Sequence, residues 1–538
     1  MESNLHNEKE RSFFLKSSVR LEPIMWRWYA WPQLISPLTA SLNIVNRHLK
    51  LMESFVEAPE VHLAAANNAS LIGGAFINLK ESHVPFVREM ITQTKKQCKP
   101  FIELAEAITY FDNLLKSIAD GGSLENFYSL VPDLLKGMVE LVYDAHNNAS
   151  MRFIEPLVYR NHYQDSEQGF ILVDTNQDYR PFVLSTPRLP GDEELFIKLP
   201  FSHNATDELA KLRFKALPFA EIREMVGIPE TEEVKLKNFL TPTPPSVGEE
   251  STFHGNGVKV RYFGHACILL ETSNIRILID PVISYKYPTE IERYTLNDLP
   301  DEIDYVLFTH AHDDHVLLET LLQIRHKVKS FVVPSSTKGF LLDPSLKNIL
   351  NVTGFKNVIT LDEFESLDLA GGKIVGIPFL GEHCDLNIQS KLGYYIKLGK
   401  TSFLFAADSN NLESSLYHHI AQMFGKVDIL FIGMECVGAP LTWLYGPLLT
   451  SKIENAHDQS RRLSGSNFEK AWEIIRLLQS SEVYVYAMGQ EPWLNYIMAL
   501  EYSDSSLQIT ESEKLIKKCK ENNVYCERLY LKKQMLYA

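Results

Sequence analysis

Basic residues are in short supply. The chain carries 53 lysines and arginines against 68 aspartates and glutamates in 538 residues, a formal net charge of −15. That deficit excludes a broad basic surface, so nucleic acid is not an expected partner. No apolar run approaches the ~20 residues that a membrane-spanning helix needs, so no membrane partner is expected either. The stretch from Met1 to Glu10 is polar and lacks the basic-then-apolar order of a secretory signal. Cysteine is sparse: Cys98, Cys267, Cys384, Cys436, Cys519 and Cys526 show no metal-type or redox-type spacing. They read as reduced thiols, and the expected location is cytoplasmic. No internal repeat is visible. No histidine occurs after His457.

What is present suffices for large cores. Hydrophobic residues make up 45% of the chain, and its length predicts two or three domains. The Pro-rich run from Phe239 to Gly248 suits an extended linker. It divides the chain into residues 1–240, a linker at 241–250, and residues 251–538. The first part reads as α+β, mostly helical. Thr39 to Met52 has a helical pattern, and Phe101, Leu104, Ile108, Phe111, Leu115 and Ile118 form one apolar helical stripe. A further helix is predicted from Pro132 to about Tyr143. Phe170 to Val173 and Phe182 to Leu184 read as strands around a turn at Asn176-Gln177-Asp178. His48, His62 and His83 have no metal-ligand spacing and read as packing or surface residues.

The chemistry concentrates in the second part. His310, His312, Asp314 and His315 are four metal-type ligands within six positions. The run Tyr305 to Phe308 before them reads as a buried strand, and Val316 to Leu322 after them as a helix. At a strand end His310 and His312 can point the same way, because side chains repeat every second residue in extended chain. Asp314 and His315 lie past the turn. The four therefore divide into two pairs, enough to begin two adjacent metal sites. The plain alternative is a surface histidine cluster, which the flanking strand and helix argue against.

His-x-His-x-Asp-His after a strand resembles the signature of the metallo-β-lactamase superfamily. That resemblance implies two β-sheets packed together with helices outside, an αβ/βα sandwich, and a dinuclear metal site at the sheet edges. It implies that Asp280 orients a ligand histidine, since a metal-bound imidazole needs its other N–H held by an acceptor. It implies that Asp408, after the strand Ser402 to Ala406, bridges the two metals. A third ligand is expected near Gly381-Glu382-His383-Cys384, where Glu382 and His383 compete. His265 is expected to be structural. Hydrolytic members close the second site with a late histidine, yet Val483 to Met488 is followed by Gly489-Gln490-Glu491. Either His457 replaces it or the site lacks that ligand.

The expected set is His310, His312 and Glu382 on one metal, Asp314 and His315 on the other, and Asp408 between them. Three imidazoles with three carboxylates favour iron or manganese over zinc, and shift the expectation from hydrolysis toward dioxygen activation. The chain then resembles, more narrowly, the di-iron β-hydroxylase of chloramphenicol biosynthesis and its relatives. In the first part the likeness rests on Trp28-Tyr29-Ala30-Trp31-Pro32, Asn43, Arg47-His48-Leu49 and Gly73-Gly74-Ala75-Phe76. In the second it adds Gly433-Met434-Glu435-Cys436, Gly438-Ala439-Pro440, Trp443 to Pro447 and Arg461 to Ser466. That family also lacks the closing histidine and has a glutamate at the position of Glu382, which favours Glu382 over His383.

This resemblance implies a dedicated N-terminal domain at 1–240 and a catalytic domain at 251–538. It implies two irons, O2 as co-substrate, an external electron donor of reductase or ferredoxin type, and hydroxylation of an amino acid's β-carbon. The amino acid would be held on the carrier domain of a nonribosomal peptide synthetase, and the chain would be a homodimer. Glu435 and His383 are candidates to hydrogen-bond the cluster, beside Glu382 as a catalytic ligand. Arg461 and Arg462 are candidates to meet the carrier's phosphopantetheine, or plain surface charges before a helix capped at Ser466. The alternative function is a dinuclear zinc hydrolase of an ester, phosphoester or lactone.

Overall fold

The computed structural model describes residues 11–246 and 253–538. Met1 to Glu10 and the end of the predicted linker, from residue 247, fall outside the described residues.

The second part is built on two seven-stranded sheets. In spatial order the first holds Val358–Leu361, Val328–Pro334, Ile303–Leu307, Arg276–Ile279, Cys267–Glu271, Val258–Gly264 and Lys533–Tyr537. The second holds Ser366–Leu369, Gly372–Pro378, Leu392–Leu398, Thr401–Phe405, Ile429–Gly433, Glu482–Tyr486 and Tyr525–Arg528. Each sheet has three antiparallel pairings on one side and three parallel ones on the other. The chain's last strand crosses back to edge the first sheet.

Most of these strands read as continuous apolar runs because both of their faces are covered. Ile268, Leu270, Ile277, Ile279 and Leu307 from one sheet meet Tyr394, Ile396, Phe403, Phe405 and Phe431 from the other. Alternate residues face outward. On the second sheet Leu404, Leu430, Ile432 and Val483 pack under helices Ser415–Phe424, Phe468–Leu478 and Leu507–Glu521. On the first sheet Phe263, Leu269, Leu278, Val306 and Phe331 share one core with residues of the N-terminal part, among them Leu21, Trp28, Phe170 and Leu172. The architecture is the expected sandwich, with an α+β N-terminal part seated on one outer face.

Several local expectations need correction. Residues 132–143 are not a helix: turns lead into the strand Val139–Tyr143, which pairs with Ala149–Phe153. Gly137 at φ +73° breaks any helix there, and Val139 and Leu141 are buried while Glu140 is exposed, a period of two. Phe182 to Leu184 is not a strand. Its backbone contact is instead with the short helix Asn495–Met498 of the second part, Val183 N–H donating to the Tyr496 carbonyl at 3.0 Å. Thr39 to Met52 is helical but widens into a π-helical turn at Ile44–Leu49. The helix Phe468–Leu478 is capped by Asn467, whose side chain accepts from Lys470 N. Ser466 is instead buried, donating to the Ser409 carbonyl at 3.0 Å.

Candidate metal centre

The parallel strands of both sheets end at one edge, and the candidate ligands follow those ends. Asp280 follows Arg276–Ile279, His310 to His315 follow Ile303–Leu307, and Asp408 follows Thr401–Phe405. Glu382 comes from the loop after Gly372–Pro378. The turns at this edge are tight enough to put non-glycine residues at positive φ: His265 (+50°), Asp280 (+42°), Glu382 (+63°) and Ala407 (+47°). Each costs roughly 1–2 kcal/mol, which the surrounding packing must offset.

Asp280 is fully buried and holds two loops together. Its carboxylate accepts from Thr309 N at 2.8 Å and from the Thr309 hydroxyl at 2.6 Å. It also lies 2.8 Å from His315 Nδ1. That contact fixes the imidazole, leaving Nε2 to face Asp408 Oδ2 at 3.0 Å. His310 Nε2 points between Glu382 and Asp408, 3.9 Å from an oxygen of each. His312 Nδ1 is 2.9 Å from Glu382 Oε1, and His383 Nδ1 is 2.9 Å from Glu382 Oε2. The other His312 nitrogen is 2.9 Å from the Tyr445 hydroxyl.

Three overlapping groups have ligand atoms within 4.8 Å of one another: His310, His312 and Glu382; His310, His315 and Asp408; and His265, Asp314 and His315. All six expected ligands are thus brought together. His265 joins them: its Nε2 lies 3.2 Å from Asp314 Oδ2. Sequence reasoning set it aside as structural. The available signal was its place at the Gly264-His265 turn, at the same strand edge. His457 does not join them; it is exposed on helix Asn455–Ser460. Cys384 is buried near Glu382, where burial pushes its thiol up to about 12, and it belongs to none of the three ligand groups.

The electrostatics describe a site built for cations. Burial opposes ionisation of Glu382, but His312 and His383 outweigh it and hold its carboxyl at about 2. Burial likewise raises Asp314, yet His315 and His265 bring it well below the ordinary range. Burial raises Asp408 despite His315 beside it, and the Glu382 and Asp314 carboxylates add to the rise. His310 is driven well below its ordinary value by burial and then by the other imidazoles. His310 Nε2 and Asp408 Oδ1 are buried without a hydrogen-bond partner. Buried polar atoms in that state are costly unless something binds them. A mixed imidazole–carboxylate set free of thiolate fits two first-row cations such as iron.

Four of the ligands, His312, Asp314, Glu382 and Asp408, line a cavity of about 700 Å³ walled by both parts of the chain. Arg47, Gly73, Phe182 and Leu184 come from the N-terminal part. Glu435, Trp443, Arg462 and Tyr502 come from the other. Glu435 follows Ile429–Gly433 and accepts from Gln508 Nε2 at 2.9 Å and from the Tyr502 hydroxyl. Those two contacts are to neutral donors rather than to a candidate ligand. The two arginines separate. Arg461 donates to the Cys384 carbonyl at 2.8 Å, whereas Arg462 lines the cavity and donates to the Gly438 carbonyl at 2.8 Å.

Comparison with known proteins decides the family. The model described as the di-iron non-haem β-hydroxylase N-terminal domain matches residues 14–244, and a β-lactamase superfamily domain matches 259–465. The 4-amino-L-phenylalanyl-[CmlP-peptidyl-carrier-protein] 3-hydroxylase of Streptomyces venezuelae is 37% identical over 97% of this chain and 99% of its own length. The chain belongs to the di-iron β-hydroxylase family.

The crystal structure of CmlA, a di-iron β-hydroxylase from Streptomyces venezuelae, superposes with a TM-score of 0.91 at 36% identity. It covers 98% of this chain and 100% of that one. A metal-dependent hydrolase of Rhizobium johnstonii is 36% identical over 11% of this chain and 24% of its own length, a local likeness. This family member is an oxidoreductase, and membership implies two iron ions. No described helix is long and apolar enough to cross a membrane.

Proposed function

We propose that this enzyme β-hydroxylates an amino acid tethered to a nonribosomal peptide synthetase carrier domain, using O2 and electrons from an external donor. The observation that carries the reading is the mixed set of imidazoles with three carboxylates, part of which lines a cavity walled by both parts of the chain. His310, His312 and Glu382 would hold one iron, Asp314 and His315 the other, with Asp408 between them. Bound there, the two irons supply the reduction of O2 and the removal of hydrogen from the substrate's β-carbon.

The chain's own residues do the rest. Asp280 keeps His315 oriented through Nδ1. The stacked rings of His312 and His383 each place a nitrogen 2.9 Å from a different Glu382 oxygen, so that carboxylate stays ionised. The cavity admits the aminoacyl arm while its apolar walls, among them Phe182, Leu184 and Trp443, limit water near the ligands. Arg462 at the cavity suits the anionic phosphopantetheine better than Arg461, which is turned to Cys384. A reductase or ferredoxin-type donor, and a homodimer paired through the N-terminal part, complete the proposal. A monomer by light scattering at working concentration would contradict the pairing.

Glu382→His tests the site. It supplies a nitrogen in place of a carboxylate, as in the hydrolytic pattern. The expected outcome is retained metal with hydroxylation reduced by about a hundredfold or more, the scale on which ligand-shell changes act. Unchanged hydroxylation would remove Glu382 from its role. The zinc-hydrolase alternative leaned on His457 as a late ligand, and the exposure of His457 leaves it without that support.

A further inference from the structure

Among the carboxylates lining the cavity, Asp313, Glu435 and Glu501 form no ion pair among the described residues; Glu501 is exposed, Asp313 sits inside the metal motif, and Glu435 is the half-buried one outside it. Asp314, Glu382 and Asp408 belong to the metal cluster. Burial and the adjacent Asp314 carboxylate push Asp313 up to about 8, against His312 and Arg47, so it is committed to its own motif. The described residues place no lysine, arginine or histidine in an ion pair with Glu435. Its partners are neutral donors, Gln508 Nε2 at 2.9 Å and the Tyr502 hydroxyl. Each takes one lone pair, and an ionised carboxylate has about four to offer. Glu435 itself lines the cavity.

Glu435 also stands close to the reacting end. Gly465 N–H donates to the Glu435 carbonyl at 2.8 Å. A Cβ on Gly465 would stand 3.0 Å from the Asp408 carbonyl and 3.5 Å from that of Glu435. The backbone bearing Glu435 and the backbone bearing Asp408 are thus separated by one glycine. Burial pushes the Glu435 carboxyl up to about 7, opposed by Tyr502 and Gln508, as expected of a desolvated acid lacking a counter-ion.

We propose that Glu435 binds the α-ammonium group of the carrier-tethered amino acid and thereby positions its β-carbon over the metals. The inference rests on the hydroxylase reading above. An aminoacyl thioester has a single cation near its reacting end, the α-ammonium, attached one carbon from the β-carbon. A carboxylate that holds the ammonium fixes the α-carbon, and with it the direction of the β C–H bonds. It also makes the site selective for a free amine over an N-acylated or amine-free acyl group. Tyr502 and Gln508 fix the carboxylate plane, so the acceptor is in place before the substrate arrives.

The experiment compares binding of two probes to the iron-loaded full chain by equilibrium dialysis. One is 4-amino-L-phenylalanyl pantetheine, carrying the aminoacyl group named for the Streptomyces venezuelae relative. The other lacks only the α-amine. Wild type is expected to favour the amine-bearing thioester by about tenfold or more, the scale of a charge-assisted hydrogen bond. Glu435→Gln should bring that preference close to one while leaving iron content unchanged, and Glu435→Asp should restore part of it. Wild-type protein without the preference, or Glu435→Gln keeping it in full, overturns the proposal. A preference that Glu435→Gln abolishes, in an enzyme that yields no hydroxylated product, supports the ammonium site and counts against the hydroxylase reading alone.

Discussion

Single positions at the ligand edge have almost no latitude. Gly433 ends the strand beside Asp408, and a Cβ there would stand 2.4 Å from Asp408 Oδ1. Gly433→Ala should displace that carboxylate while leaving the sheet intact, and iron per chain should fall by about half or more. Full iron content in the purified variant would contradict the placement. Glu435 gives a pH signature. Its carboxyl rises from 4.5 to about 7 on folding. The folded chain therefore holds a proton that the unfolded chain releases, and this stability is lost as pH climbs through that window. Glu435→Gln has no such loss. Its advantage over wild type should grow from about pH 5 to about pH 8, by roughly 3 kcal/mol at most, since cavity water screens the charge. Urea midpoints of both proteins at the two pH values check this, and a constant gap would contradict it. Several of these residues were legible because their type and order carry chemistry: four ligands packed within six positions, an Asp ending a strand. His265, Tyr502 and Gln508 were not legible in their roles, because only tertiary folding brings them to the site.

At the scale of elements, the helix Leu318–Ile324 links the metal motif to the N-terminal part. All seven of its residues are buried. Its Glu319 receives Arg180 through two contacts of 3.0 Å, with the Tyr29 hydroxyl at 2.8 Å and the Tyr285 hydroxyl at 2.9 Å. Arg180 also reaches Glu22 at 2.9 Å. Arg180→Met would strand Glu319 with neutral partners in a dry environment, a loss of about 3–5 kcal/mol. A chemical denaturation curve should show that shift, and Arg180→Met with Glu319→Gln should recover part of it. An unchanged midpoint would contradict the account. Strands were readable as apolar runs because two covered faces demand them. The element after Pro132 was misread because a short amphipathic stretch fits a helix until Gly137 and the Glu140 alternation are weighed. Phe182 to Leu184 looked like a strand, yet its hydrogen-bonding neighbour lies some three hundred residues away in sequence, at Tyr496.

At the scale of the whole molecule, the two parts form one working unit. The first sheet's outer face is covered by the N-terminal part, and the cavity above the ligands has walls from both. The doubled sheet pattern, three antiparallel pairings on one side and three parallel on the other, left no repeat in the sequence. Pairing order is set by backbone contacts, which many different apolar runs satisfy equally. The central claim is oxygen insertion into a carrier-bound amino acid. It is tested most directly by mass spectrometry of a 4-amino-L-phenylalanyl carrier domain after incubation with the iron-loaded enzyme, an electron donor and isotopically heavy O2. The account predicts that the aminoacyl group gains one heavy oxygen atom at the β-carbon. Hydrolysis of the thioester with no oxygen incorporated, in an enzyme shown to bind that carrier and to hold two irons, would contradict it.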